Sequence, residues 1–180
     1  MVINLPPVQV EILNMFLAQA YVKANVVVEE IDLDGNSDYE NICIDTNSNG
    51  VKDQFDYSYS NSEKLRKLLT DHPLSKEYHA KNYYRLYFVP DEATTVGGFS
   101  TSGQNFTICF GPIDRSTPVH ELGHTLGLPH TFNGNTDDGA KYTYEDGKTD
   151  NIMDYCYLIW VEPQSFFHWQ WETLNTNLNK

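Results

Sequence analysis

The sequence predicts an α+β fold in which residues 1–180 form a single domain. Three observations carry that expectation. Helical and strand-like hydrophobic periods are interleaved along the chain, with no long block of either. No internal repeat and no Gly/Ser-rich or Pro-rich linker divides it. A chain of 180 residues that is 40% hydrophobic and 13% aromatic is long enough for one substantial core and short for two.

The elements follow in order. Residues 8–24, VQVEILNMFLAQAYVKA, space Ile12, Leu13, Phe16, Leu17 and Ala20 three to four apart, as an amphipathic helix does. NVVVEEI, residues 25–31, is a β-branched run of strand character. Residues 32–62 are rich in Asp, Asn, Ser and Gly and predict a loop, after which SEKLRKLLTDH predicts a short helix behind Ser62. NYYRLYFVP and NFTICFG are aromatic and β-branched strands, with DEATTVGGFSTSGQ turning between them. Thr117 before Pro118 marks a helix start, the hydroxyl serving as cap and Pro standing in the first turn. Residues 131–150 are polar and loop-like. The tail EPQSFFHWQWETLNTNL predicts a helix with Pro163 near its first turn and Phe167, Trp171 and Leu174 along one side.

The bulk charge excludes some functions. At −13 the chain offers no clustered Lys and Arg for a phosphate backbone or an anionic bilayer, so nucleic acid is not an expected partner. No apolar run approaches the length of a membrane span. The N-terminus, MVINLPPVQVEIL, lacks the basic and apolar regions of a signal peptide, so the chain is either intracellular or a mature domain cut from a longer one. Cys43, Cys109 and Cys156 are too few for a disulfide framework; one disulfide plus a free thiol, or three buried thiols, both fit the count.

The informative stretch is HELGHTLGLPH, residues 120–130. At about 100° per residue, His124 lies roughly 40° from His120, on the same helix face one turn later. Val119, Leu122 and Leu126 fall together at about 200° to 260°, nearly opposite. Gly127 can adopt the positive φ that ends a helix and Pro129 cannot continue one, so the chain can turn and return His130 to the first pair. Three imidazoles with a fourth position left to water form an open zinc site. Glu121, adjacent on the helix, is placed to take a proton from that water and pass it to a leaving amine. In a chain of this composition the five specified positions arise by chance on the order of once in 10⁵.

These residues resemble the metzincin clan of zinc metallopeptidases, whose pattern H-E-x-x-H-x-x-G-x-x-H is matched at every specified position. The resemblance implies a small mixed sheet, an active-site helix, a Met-turn and a C-terminal helix, with zinc on His120, His124 and His130. It implies Glu121 as general base, Met153 in TDNIMDY as the hydrophobic floor beneath the metal, and Gly127 as the structural turn. Tyr155 gives an M-x-Y spacing similar to that of astacins, serralysins and pappalysin-like enzymes, where the phenol supports the tetrahedral intermediate. The clan's substrate-pairing edge strand has its candidate in GGFSTSGQNFTICFG. The tail after the Met-turn also resembles bacterial metallopeptidase effector domains of secretion-system or polymorphic-toxin proteins.

A second motif is DTNSNGVKDQFD, residues 45–56, which follows the twelve-position calcium loop. Asp45, Asn47, Asn49, Asp53 and Asp56 are the candidate calcium ligands, with Asp in the final position where Glu is usual. A solvated Asp/Asn turn fits the same residues. Cys43 raises the idea of a thiolate that blocks the zinc position, but nothing in ENICIDTN specifies it, and a packed structural cysteine is the favoured reading. His72, His79 and His168 show no ligand spacing, and Trp160, Phe166, Phe167, Trp169 and Trp171 suit core and cleft wall.

The expectation is therefore a zinc-dependent endopeptidase, with zinc as cofactor, calcium as a structural candidate and a peptide or protein as substrate. One alternative is a toxin or effector hydrolase acting on periplasmic or cell-wall peptides; another is a non-catalytic, metal-stabilised binding module. Expected context is secreted, extracellular or periplasm-delivered, as a monomer, with an inhibitor, immunity protein or pro-segment as candidate regulators.

Overall fold

A computed structural model describes residues 7–101, 104–112, 114–132, 140–155 and 161–178. In chain order, the helices are α1 (Pro7–Leu17), α2 (Ser37–Glu40), α3 (Tyr59–Asp71), α4 (Pro73–Ala80), α5 (Thr117–Thr125) and α6 (His168–Leu178). The strands are β1 (Cys43–Ile44), β2 (Gln54–Phe55), β3 (Arg85–Val89), β4 (Glu92–Ala93), β5 (Gly98–Ser100) and β6 (Phe106–Phe110). This is the mixed α+β class expected, with two small mixed sheets.

β6 organises the larger sheet. It pairs in parallel with β3, Tyr87 opposite Ile108, and antiparallel with β5, Phe99 opposite Ile108. The order is β3-β6-β5, which leaves β5 at an edge. Side chains alternate between faces along a strand. Accordingly Phe106, Ile108 and Phe110 enter a core with Phe55, Leu65, Leu69 and Val89, while Thr107 and Cys109 lie on the opposite face. There the Thr107 and Thr125 hydroxyls meet at 2.9 Å, and Thr125 Oγ1 also donates to the Phe106 carbonyl at 3.2 Å, pinning α5 across the sheet. The opposite side of α5 carries Val119, Leu122 and Leu126 into a second core with Phe16, Leu17, Ile152, Met153, Phe166 and Leu174. The separation of a core face from an imidazole face is as the periodicity requires.

Several boundaries differ from the sequence expectation, each for a local reason. The first helix stops at Leu17, followed by one 3₁₀ turn, because Tyr21 takes a left-handed φ of 59° and the Asn14 carboxamide accepts the Ala24 N–H at 2.8 Å. Residues 25–31 form no strand among the described residues; Val26, Val27 and Val28 are exposed, and strand propensity without a hydrogen-bonded neighbour gives only extended chain. The expected 32–62 loop contains α2, β1, β2 and the start of α3, because Asn36 caps α2 and Ser58, not Ser62, caps α3. α4 was not expected; it begins on Pro73. The C-terminal helix starts at His168, since Gln170 Oε1 accepts the Phe167 N–H at 2.6 Å and Ser165 pairs instead with Asn151. Pro163 and Phe167 therefore precede it.

The α5 cap is also different from the one expected. Thr117 does not supply it. Asp114 Oδ1 accepts the backbone N–H groups of Ser116 (2.6 Å) and Thr117 (2.7 Å), and Oδ2 accepts the Thr117 hydroxyl at 2.6 Å. Burial opposes ionisation of Asp114, yet the hydrogen bonds from Thr117 and Ser116 outweigh it and hold the carboxyl below its ordinary value. A depressed folded-state pKa gives stability that is present above about pH 4 and lost as pH falls through the folded value. Asp114→Ala is expected to lower the unfolding free energy by about 1 kcal/mol at neutral pH, read from the urea midpoint. In acid the variant and the wild type should converge; a constant difference across pH contradicts the assignment.

Candidate metal centre

The three histidines of the long motif converge. His124 Nε2 lies 3.1 Å from His120 Nε2 and 3.1 Å from His130 Nε2. The outer nitrogens of two rings are fixed by backbone: His120 Nδ1 is 2.7 Å from the Ile152 carbonyl and His124 Nδ1 is 2.8 Å from the Leu128 carbonyl. A carbonyl only accepts, so both Nδ1 atoms carry the proton and both Nε2 atoms present lone pairs. The 3.1 Å approach of His120 and His124 is therefore not an N–H···N bond between neutral rings. Protonating His120 is opposed by burial and by the neighbouring imidazoles, which push its pKa down to about 3. A cation between the lone pairs resolves the contact. Nitrogens bound to one tetrahedral zinc at about 2.0–2.1 Å are about 3.3 Å apart, within a few tenths of an ångström of what is found. Among the described residues, His120, His124 and His130 are the one group of His, Cys, Asp and Glu side chains close enough to hold an ion.

Local chain chemistry explains how these rings meet. At the end of α5 the Gly127 N–H bonds to the His124 carbonyl (2.9 Å) and the Leu128 N–H to the Gly123 carbonyl (2.9 Å), with Gly127 at φ 86°. This is a Schellman closure, and it reverses the chain as expected. A Cβ on Gly127 would also lie 2.6 Å from Asn177 Nδ2, which donates to the Leu126 carbonyl. Beyond the turn, the Thr131 N–H bonds to the Met153 carbonyl at 3.1 Å, which registers His130 against the Met-turn.

The Met-turn is fixed from both sides. Asp154, 1% exposed, accepts four hydrogen bonds, from the N–H groups of Gly147, Thr149 and Tyr155 and the Thr149 hydroxyl. Buried Asn151 and Gln170 exchange carboxamide bonds at 2.8 and 3.2 Å, tying the turn to α6. Met153 is fully buried, and its Sδ lies only 2.6 Å from where a Cβ of Gly123 would stand. Asn151, Asp154, Gln170 and Gly123 were missed in the sequence. The only signal was polar residues flanking the methionine and a glycine between the ligands.

Glu121 follows His120 on the helix, and the Ser100 hydroxyl donates to its Oε2 at 2.9 Å. Burial pushes the Glu121 carboxyl up to about 7, against the opposite pull of that hydrogen bond. The Tyr155 ring packs on the cluster, 4.8 Å from the His130 ring and 5.8 Å from the His120 ring between centroids. Phe132 stacks on His130 at 4.8 Å and completes an aromatic wall.

Residues 113–165 match the Met-zincin family model. Both segments that carry the metzincin resemblance, the histidine motif and the Met-turn, fall within the matched stretch. No curated protein and no solved structure matches the chain. The matched stretch contains the histidine triad and the Met-turn, and the mixed α+β architecture is consistent with a Met-zincin fold.

Among the described residues, the other candidates lie away from the matched stretch or serve packing. Cys43 and Cys109 are free and buried; Cys43 sits in the first core beside Tyr39, where burial pushes its thiol up to about 11, unsuited to blocking a metal as thiolate. His79 faces Arg85 and His168 packs on Trp171. Phe166 is core and Phe167 packs on Tyr144, whereas Cys156 and Trp160 lie outside the described residues.

The Asp45–Asp56 loop does not gather its carboxylates. Asp45 accepts the N–H groups of Asn47, Asn49 and Gly50, Asn49 accepts that of Val51, Asp53 accepts from Thr46 and from Asn47 Nδ2, and Asp56 accepts from Asn61. Asp45, Asn47 and Asn49 thus form successive Asx turns, and Asp53 and Asp56 are engaged by Thr46, Asn47 and Asn61. Millimolar calcium is expected to leave Tm unchanged in wild type and in Asp53→Asn alike. A saturable rise confined to wild type would restore the calcium reading.

A second expectation concerns the close approach under the helix. Gly123→Ala should cost about 1–3 kcal/mol by overpacking and weaken zinc retention, and Met153→Ala in the same chain should recover part of the loss. Thermal melts and zinc content of the single and double variants decide it. Equal stability of Gly123→Ala and wild type would show that the approach is not tight.

Proposed function

We propose that the protein is a zinc-dependent endopeptidase that cleaves extended peptide or protein backbones. The convergence of the three Nε2 atoms, with His120 and His124 anchored through Nδ1, supports this reading most directly. His120, His124 and His130 would hold a zinc ion, which when bound would supply Lewis acidity towards water and a carbonyl oxygen.

The remaining work falls to side chains. Glu121 accepts the proton from the attacking water and returns it to the departing amine, so its carboxylate must be both close to the ligands and half-shielded from bulk water. Tyr155 packs against His120 and His130, and its role in this reading is to donate its phenol hydrogen to the oxygen on which negative charge develops. Met153 and the Met-turn keep the floor beneath the histidines apolar and immobile. An extended substrate aligns along the edge of β5, where backbone pairing holds any sequence in the same register.

Purified protein is expected to carry one zinc per chain and to cleave an unfolded protein. Glu121→Ala should retain the zinc yet lose about 10²- to 10⁴-fold in kcat. A zinc-loaded wild type that leaves a broad library of peptides uncut would favour the metal-stabilised binding module instead. Turnover retained in Glu121→Ala would remove the proton-transfer role.

A further inference from the structure

We propose that Ser100 is a positioning residue for Glu121, coupling the carboxylate to the strand along which substrate aligns. The inference rests on the endopeptidase reading for its catalytic meaning, and on geometry alone for its structural content.

β5 is three residues long, Gly98–Ser100, and its alternation is specific. Phe99 points into the first core, 6.1 Å from Phe110 and 6.0 Å from Tyr57 between ring centroids. Gly98 and Ser100, two apart, face α5. A Cβ on Gly98 would stand 3.0 Å from Glu121 Cγ, 3.1 Å from Thr117 Cγ2 and 2.9 Å from the Ile108 carbonyl oxygen. The missing side chain at 98 makes room for the stem of Glu121. The side chain at 100 then meets its carboxylate, the hydroxyl donating to Oε2 at 2.9 Å. Together they form a cradle, with space at one residue and a hydrogen bond at the next residue on that face.

The ladder gives the cradle a second property. The Phe110 N–H bonds to the Gly97 carbonyl at 2.8 Å, and Phe99 stands opposite Ile108. In an antiparallel pair the hydrogen-bonded positions alternate. Gly97 and Phe99 therefore turn their polar backbone groups towards β6, and Gly98 and Ser100 turn theirs to the open edge. Ser100 consequently offers backbone to an incoming strand and its hydroxyl to Glu121. A carboxylate with one oxygen occupied by a donor has the lone pairs of Oε1 left to receive a proton in a fixed direction. A chain that pairs with Ser100 is in register with that oxygen.

The test combines crystal structures of wild type, Ser100→Ala and Ser100→Thr with zinc content, Tm and steady-state cleavage of an extended fluorogenic peptide. In Ser100→Ala the Glu121 carboxylate is expected to leave its wild-type position, while zinc content and Tm stay at wild-type values. kcat should fall about tenfold, the scale of one hydrogen bond to a charged group, with KM unchanged. Ser100→Thr, which keeps the hydroxyl, should restore both the Glu121 position and most of kcat. A Glu121 carboxylate that stays in place in Ser100→Ala overturns the proposal whatever the rate. So does displacement with unchanged kcat, a loss carried by KM, or failure of Ser100→Thr to rescue. If wild type itself cleaves nothing, the endopeptidase reading fails, and the position of Glu121 in the Ser100→Ala crystal still decides whether Ser100 holds it.

Discussion

Two backbone carbonyls, those of Ile152 and Leu128, determine what the histidines can do. Each takes the Nδ1 proton of one imidazole, which forces the lone pair onto Nε2 and points it inwards. Without these acceptors the same rings could rotate or adopt the other tautomer, and three histidines would be three unrelated side chains. The Leu128 carbonyl is local: it lies just past the turn that ends α5, four residues after the histidine it holds. That of Ile152 is distant, and it makes the Met-turn part of the metal centre through its backbone.

Much of the remaining structure keeps the Ile152 carbonyl where it is. The Asn151 and Gln170 carboxamides join the turn to α6, and Asp154 gathers four donors from the chain before and after it. Buried polar groups of this kind cost free energy unless every donor and acceptor is met. Here each carboxamide oxygen and nitrogen of Asn151 and Gln170 has a partner, so the network adds directional rigidity to a region whose apolar packing alone would tolerate small shifts. The absence of a side chain at Gly123 serves the same end. It lets the Met153 thioether close against the helix between the two ligands, so that helix and turn move as one body.

The β5 edge does for Glu121 what the Met-turn does for the histidines. Thr107, Thr125 and Phe106 pin α5 to β6, and β5 pairs with β6 on its other flank. The carboxylate and the edge are thereby held in one frame. Asp114 begins that frame by satisfying the first N–H groups of α5, a task the chain assigns to a residue two positions ahead of the cap site.

The histidine triad, Glu121, the core face of α5, the turn at Gly127 and the strands β3 and β6 were legible in the chain itself, because each depends on spacing within one element or across one turn. Period and φ preference are local properties, and the linear sequence records them. Other features were not legible there: the premature end of α1, the absence of a strand over the described residues 25–31 and the cap from Asp114. Nor were the Asn151–Gln170 pair or the Ser100–Glu121 hydrogen bond. Each of these depends on which donor meets which acceptor across the fold, and a polar side chain in a sequence does not name its partner. The chain alone determined that three imidazoles could share one ion; tertiary packing decided the tautomer of His120, the floor and the direction of the carboxylate, because their partners (the Ile152 carbonyl, Met153 and the Ser100 hydroxyl) lie far away in sequence.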